Sequence, residues 1–390
     1  MNTSQTAQSF IAGYIPLVLD SIKNDFSDNY DSYRFGPEKL KSENRESSIL
    51  STARSILSML GLATAGTVKL LESQKRVVHE QLNHALQCYL PHLTEIEWLH
   101  SHLADEESQE ILCKVLAFRA LGHRKVRLPL STPEYWREIR EIEANTSEEG
   151  SFDLGLLGFR ANKMDLNSLG YPIQLFFPPF AAYIQFVLEP YKCQTASGLV
   201  EVEPGDVVMD CGGCYGDTAL YFANKAGDTG NIYSFEFVPT NLETWNRNID
   251  MNPHLKQRIQ LVKAPVWSES GKSLFIEGSG PGSRVVAETK APDALEIKTV
   301  SIDDMVADNN LPTVKFIKMD IEGAELAALR GAEKTIRRFR PKLAISVYHN
   351  LEDFWSIPQY LKSLELNYRF YLRHFTIHAE ETVLFAKPSV

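Results

Sequence analysis

The stretch Val207-Val208-Met209-Asp210-Cys211-Gly212-Gly213-Cys214-Tyr215-Gly216-Asp217-Thr218 decides how the rest of the chain is read. A short apolar run ends in an acid, a glycine-rich turn follows, and Ala219-Leu220-Tyr221-Phe222-Ala223 continues as a helix. Strand, turn and helix in this order build nucleotide-type sites at the carboxyl edge of parallel sheets. The glycines let the backbone approach a ligand without a Cβ in the way, and Gly212 and Gly216 are the positions expected to do so. The dinucleotide spacing G-x-G-x-x-G is not met, because Cys214 stands where the second glycine would follow Gly212. An acid ahead of the glycines favours a cationic or hydroxyl-rich ligand over a bare pyrophosphate. Asp210 is therefore expected to face the charged end of that ligand, with a plain turn acid as the alternative. Thr218, at the helix start, is expected among the ligand contacts.

Around this stretch the texture is that of repeated βαβ units. Strands are expected at Val207–Asp210, Ile232–Glu236, Ile259–Val262, Phe316–Asp320, Leu343–Tyr348, Tyr368–Tyr371 and Thr382–Phe385. Helices are expected at Thr218–Ala226, Thr240–Asp250, Ala324–Arg338 and Ile357–Leu364. Between the third and fourth strands, Ser268 to Ala307 carries Gly278, Gly280, Pro281 and Gly282 and reads as a hairpin and loop over the sheet edge.

Three later strand ends bring candidate chemistry to the same edge. Glu236 closes the second strand about two dozen residues after Asp210, where a carboxylate can accept both hydroxyls of a ribose. Phe237 beside it suits packing on a base. The fourth strand, Phe316-Ile317-Lys318-Met319-Asp320, buries a lysine in an apolar run, so Lys318 needs a carboxylate partner. Phe316, Lys318 and Asp320 share one face by the period of two, and Asp320 emerges at the edge. His349 ends Ile345-Ser346-Val347-Tyr348 and is the imidazole expected to act as general base, with His374 and His378 as competitors. Glu322 and Glu325 read as helix-start acids. Cys211 and Cys214 have CxxC spacing without a second ligand pair, so they read as structural thiols and not as zinc or redox groups.

Four pieces carry a resemblance. They are Asp210 to Thr218; Phe235-Glu236 with Asn248 on the helix after it; Ser301-Ile302-Asp303-Asp304; and Phe316-Ile317-Lys318-Met319-Asp320-Ile321-Glu322-Gly323-Ala324-Glu325. In this order, over residues 203–387, the chain resembles the FkbM family of S-adenosylmethionine-dependent methyltransferases. The resemblance implies an α/β, Rossmann-like class I methyltransferase sheet of seven strands and S-adenosyl-L-methionine as cofactor. It also implies O-methylation of a sugar or natural-product hydroxyl. The expected cofactor contacts are Asp210, Gly212, Gly216, Thr218, Glu236, Phe237 and Asp320. His349, Asp320 and Lys318 are the expected catalytic group, with no metal. The Cys-Gly-Gly-Cys turn departs from the commoner form while keeping the acid and the flanking glycines. Two rivals stay in view: a metal-assisted O-methyltransferase using Asp320 and Glu322, and a non-catalytic binding or scaffold protein on the same fold.

The first 150 residues read as a helical accessory domain, with helices at Phe10–Asp25, Ile49–Cys88 and Glu107–Leu121 and a start signal at Thr132-Pro133. Residues 144–151 are polar and read as a loop. Residues 151–200 are expected to connect the domains and face the substrate, and 201–390 to form the methyltransferase domain. Aromatic residues such as Phe159, Tyr171, Phe176, Phe177, Phe180 and Tyr183 suit either sugar stacking or core packing. With 44% apolar and 23% charged residues the chain is ordinary globular material, and its net charge of −10 argues against non-specific nucleic-acid binding. The basic runs His123–Arg127 and Arg337–Arg340 read as solvated or helix-terminal charge. Sparse, odd-numbered cysteines and a polar start fit the cytoplasm. Ser55–Val68 is too short to span a membrane, and prolines break Leu166–Leu188, so peripheral membrane contact is the membrane association left open.

Overall fold

A computed structural model describes residues 9–36, 38, 77–154, 159–195, 198–278, 280–289 and 295–389. Its centre is a seven-stranded sheet made of β1 (Val207–Cys211), β2 (Asn231–Phe235), β3 (Ile259–Val262), β4 (Phe316–Met319), β5 (Lys342–Ser346), β6 (Tyr368–His374) and β7 (Thr382–Pro388). Across the sheet the order is β6-β7-β5-β4-β1-β2-β3. The strands from β5 to β3 pair in parallel, and β7 runs antiparallel between β5 and β6. The order reverses between β1 and β4, so these two strands flank the switch point where ligands bind in open α/β sheets. This topology is the class I methyltransferase fold.

Strict alternation along the strands divides two cores. Met209, Cys211, Ile317, Met319, Leu343 and Ile345 face one side, where they join Phe10, Tyr14, Leu112, Leu116 and Phe118 of the amino-terminal helices and Phe354 of the helix Asp353–Ser363. Val208, Phe316 and Ala344 face the other, with Leu220 and Phe222 of the helix Asp217–Ala226, Trp245 of the helix Pro239–Asp250, and Leu175 and Phe177. The amino-terminal helices Ser9–Ser21 and Glu106–Leu121 thus share the main core. Ala104 N–H also donates to the Phe370 carbonyl, and Ser108 Oγ accepts from Leu372 N–H.

Most expected elements appear within about four residues of their limits, and three differ in kind. Residues 144–151 contain the start of a strand, Ser147–Asp153, which pairs antiparallel with Arg160–Asp165, itself paired with Gln174–Phe177. The helix expected over 324–338 is two, Glu325–Arg330 and Glu333–Phe339. Gly331 lies at the break, and a Cβ there would stand 2.1 Å from the Trp267 carbonyl oxygen. The excursion before β4 is a three-stranded antiparallel sheet of Ser273–Glu277, Arg284–Val286 and Glu296–Lys298. The start at Thr132-Pro133 is a capped one, with the Thr132 side chain accepting from Tyr135 N–H. Of the expected helix 49–88, residues 77–87 are helical and 49–76 lie outside the described residues, as does Ser55–Val68. Among the described residues no helix is long and apolar enough to cross a membrane.

Candidate active site

The turn after β1 is built on a buried ion pair. The parallel register sets Asp210 beside Lys318 of β4, with Ala344 of β5 on the other side. Lys318 Nζ stands 3.4 Å from Asp210 Oδ1, and both side chains are at most 1% exposed. The other oxygen, Asp210 Oδ2, accepts from Thr218 Oγ1 at 2.9 Å and from Ser234 Oγ at 2.8 Å. Lys318 Nζ also donates to the Gly212 carbonyl at 2.6 Å, which fixes the loop above the pair. Gly212 has φ of +88°, and a Cβ there would lie 2.0 Å from the Asp320 carbonyl oxygen, so only glycine fits.

Above this turn lies a cavity of about 550 Å³ bounded by the carboxyl ends of β1, β2, β4 and β5. Gly212, Thr218, Glu236, Phe237, Lys318, Asp320 and His349 all line it, whereas Asp210 and Gly216 do not. Asp210 is thus a foundation of the turn, its Oδ2 held by two hydroxyls and its Oδ1 paired with the Lys318 ammonium. Gly216 instead ends the turn at φ +82° and packs on Trp245. Phe159, Phe177 and Phe180 from the connecting segment line the cavity; Tyr171, Phe176 and Tyr183 do not. His374 and His378 are buried away from it.

At one end, Glu236 Oε1 accepts from the N–H groups of Phe237 at 2.6 Å and Val238 at 2.7 Å. Its Oε2 has Asn241 Nδ2 at 3.3 Å and keeps lone pairs for further donors. Burial raises the Glu236 carboxyl above its ordinary value against these hydrogen bonds. At the other end, Asp320 accepts from Tyr191 Oη at 3.1 Å and Tyr348 Oη at 3.0 Å. Burial pushes Asp320 up, but the charges of His349 and Lys318, with both tyrosine hydroxyls, outweigh it and hold the carboxyl low.

His349 differs from the expected neutral base. Its Nε2 lies 3.4 Å from Asp320 Oδ1 and 3.5 Å from Glu322 Oε1, and its Nδ1 lies 2.9 Å from Glu325 Oε1. Burial opposes the charged form, yet these carboxylates hold the imidazole up to about 11. It therefore carries its proton at neutral pH in this arrangement.

Several site residues were not singled out from the sequence. Asp217 lines the cavity from the first turn of its helix, and burial pushes it to about 7. Glu381, in the turn before β7, is raised to about 7 by burial and by the Asp320 charge. Arg34, from the short turn Ser32–Phe35 of the amino-terminal region, reaches the same cavity and sits 3.6 Å from Glu381. An acid directly after a glycine turn is a legible signal for Asp217; Glu381 and Arg34 give none. Cys211 and Cys214 are unpaired thiols pushed up by burial, so neither is a ready thiolate.

Residues 210–370 match the model of the methyltransferase FkbM domain. These residues are an FkbM methyltransferase domain. A stretch of 139 residues is 28% identical to the hexuronic acid methyltransferase AglP of Haloferax volcanii, covering 36% of this chain. The chain spans about half, 55%, of that relative's length. Among solved structures, the methyltransferase FkbM of Methylobacillus flagellatus aligns at 21% identity with a TM-score of 0.48, over 78% of this chain and 61% of its own. A fibrillarin of Aeropyrum pernix with bound S-adenosyl-L-methionine aligns at 14% identity and a TM-score of 0.35, over 59% of this chain and 90% of its own.

The cofactor that a methyltransferase domain of this family implies is S-adenosyl-L-methionine. The cavity fits it. More than half of the buried side-chain nitrogen and oxygen atoms that lack a hydrogen-bond partner, among the described residues, belong to residues lining this one cavity. Asn241 Oδ1, Ser283 Oγ, Gln185 Nε2 and Asp217 Oδ1 are four of them. Orphaned polar atoms gathered round a cavity are what a polar ligand satisfies. The carboxylates of Asp217, Glu236, Asp320, Glu322, Glu380 and Glu381 outnumber the cations around it, which suits a ligand that carries a sulfonium.

Proposed function

We propose that this protein transfers a methyl group from S-adenosyl-L-methionine to a hydroxyl of a sugar-like acceptor. The observation that carries this reading is the convergence of Gly212, Glu236, Asp320 and His349, from four strand ends, on one cavity also lined by Phe159, Phe177 and Phe180. Aromatic faces beside carboxylate acceptors are the surface a ring with several hydroxyls needs. The likeness to a protein named for hexuronic acid methylation supports a sugar acceptor.

S-adenosyl-L-methionine, when bound, supplies an electrophilic methyl group. Glu236 would hold the ribose hydroxyls through Oε2, since the backbone already fixes its Oε1. Phe237 offers a face for the base, and Asn241 Oδ1 an acceptor next to it. Gly212, a glycine because of its positive φ and the Asp320 carbonyl packed against it, would present the turn's backbone to the ligand. Asp210, Thr218 and Lys318 act as positioning residues through the turn they hold. At the acceptor end, Asp320 and Glu381 are the carboxylates available to receive the proton of the attacking hydroxyl. His349, charged, then serves as counter-ion to Asp320 and not as base. Positioning of the acceptor supplies most of the rate.

The test uses methyl-labelled cofactor with hexosides and hexuronosides. The expected product carries label in a base-stable ether. Label found only in a base-labile ester would transfer the assignment from hydroxyl to carboxylate. Glu381→Gln is expected to lower kcat by about 100-fold, the usual contribution of proton transfer, while S-adenosylhomocysteine affinity stays unchanged by calorimetry. Undiminished turnover would remove Glu381 from the reaction.

A further inference from the structure

We infer that Asp320, Glu325 and His349 form a binding site for one divalent first-row transition-metal ion at the acceptor end of the cavity. Each offers one ligand atom, and the three atoms lie within 4.8 Å of one another. That span is close to the reach of ligands arranged around a single ion at ~2.0–2.2 Å. The end of β4 supplies Asp320, the start of the helix Glu325–Arg330 supplies Glu325, and the residues after β5 supply His349.

The burial of these groups is what separates the cluster from a solvated patch of acid. The Glu325 side chain is fully buried; its Oε1 accepts from Ile321 N–H at 2.9 Å, and its Oε2 has no hydrogen-bond partner. The His349 side chain is 8% exposed, and neither ring nitrogen makes a well-formed hydrogen bond although carboxylates stand around it. Asp320 is oriented by two tyrosine hydroxyls, the kind of outer contact that aims a ligating carboxylate. Three carboxylates, counting Glu322, face one imidazole, so negative charge exceeds positive even with the ring charged. Uncompensated buried carboxylate is costly; a divalent cation removes that cost and takes the His349 nitrogen in place of its proton, which is released to solvent.

The donor set chooses the ion. Two carboxylate oxygens and an imidazole nitrogen suit Mn²⁺, Fe²⁺ or Zn²⁺ better than Mg²⁺ or Ca²⁺, which favour oxygen alone. Three protein ligands leave coordination positions open. On the reading given under Proposed function, and only for this consequence, an acceptor hydroxyl would take one of them and become more acidic, its proton passing to Glu381 because Asp320 and His349 are then ligands.

The probe is Mn²⁺ added to the full chain after chelation and dialysis, followed by calorimetry and electron paramagnetic resonance. The expected result is one Mn²⁺ per chain with electron-spin-echo modulation from an imidazole nitrogen. Glu325→Gln and Asp320→Asn are each expected to weaken binding at least about 30-fold. No Mn²⁺ binding, binding without nitrogen modulation, or binding unchanged in folded variants would overturn the site. The modulation is read on the unaltered protein, so the test survives a variant that does not fold. S-adenosylhomocysteine affinity is measured alongside. Its absence with Mn²⁺ bound would sink the methyltransferase reading and leave the metal site standing.

Discussion

Lys318 shows how one residue can serve fold and site together. Its ammonium is buried against Asp210 and the Gly212 carbonyl. Removing one partner of such a pair leaves a bare buried charge, so Lys318→Met should cost about 3–5 kcal/mol of stability in a urea titration. Asp210→Asn combined with Lys318→Met should cost less than the two single changes summed, because no charge is then stranded. Additive costs would mean the pair is not the unit described here. The sequence already called for a carboxylate partner for Lys318, since a cation inside an apolar parallel strand demands one. Which carboxylate it would be was not legible, because strand order decides it and Asp210 lies over a hundred residues away. The same geometry removes Asp210 from the cavity wall.

At the scale of elements, the seven strands were legible because strands buried on both faces are written as apolar runs. Ser147–Asp153 was not, because Ser147, Glu148, Glu149 and Gly150 are exposed and its pairing needs no apolar alternation. The need for glycine at the break, Gly331, was hidden for another reason: the carbonyl that leaves no room for a Cβ there belongs to Trp267, far along the chain. Asn248, one of the residues that carried the family resemblance, fastens the strand Gln174–Phe177 to the helix Pro239–Asp250. Its side chain accepts from Phe176 N–H at 2.7 Å and donates to the Phe176 and Tyr215 carbonyls at 3.1 and 2.9 Å. Asn248→Ala strands these buried backbone groups at about 1–3 kcal/mol each. Hydrogen exchange should accelerate first in residues 174–177. Uniform acceleration over the whole chain would argue that Asn248 is not a local fastener.

Across the whole molecule, the β6–β7 hairpin joins the amino-terminal region to the sheet through two buried histidines. His374 lies against Thr382, with Thr376, Arg119 and His378 nearby, and burial depresses it to about 3. His378 accepts from Asp31 N–H at 3.1 Å, faces Arg34, His123, Tyr30, Phe35 and Phe118, and is depressed to about 4 by burial. Both stay neutral in the fold, whereas the unfolded chain binds their protons near pH ~6.5. Their contribution is therefore complete above pH ~6.5 and is lost as pH falls toward about 4, with a slope of up to ~1.4 kcal/mol per pH unit for each histidine. Urea midpoints taken from pH 7 to 4 check this, and replacing His374 with Gln should flatten the curve. The amino-terminal region also reaches the cavity through Arg34, so the site belongs to the whole chain and not to the sheet alone. The central claim, that this cavity is a cofactor site organised by Glu236, is tested most directly by calorimetry with S-adenosylhomocysteine. Unaltered protein should bind one equivalent, and Glu236→Ala should weaken binding by at least about 150-fold, since it removes the hydrogen bonds from both ribose hydroxyls, each worth ~1.5–3 kcal/mol to a charged group. Equal affinity in the two proteins would contradict it.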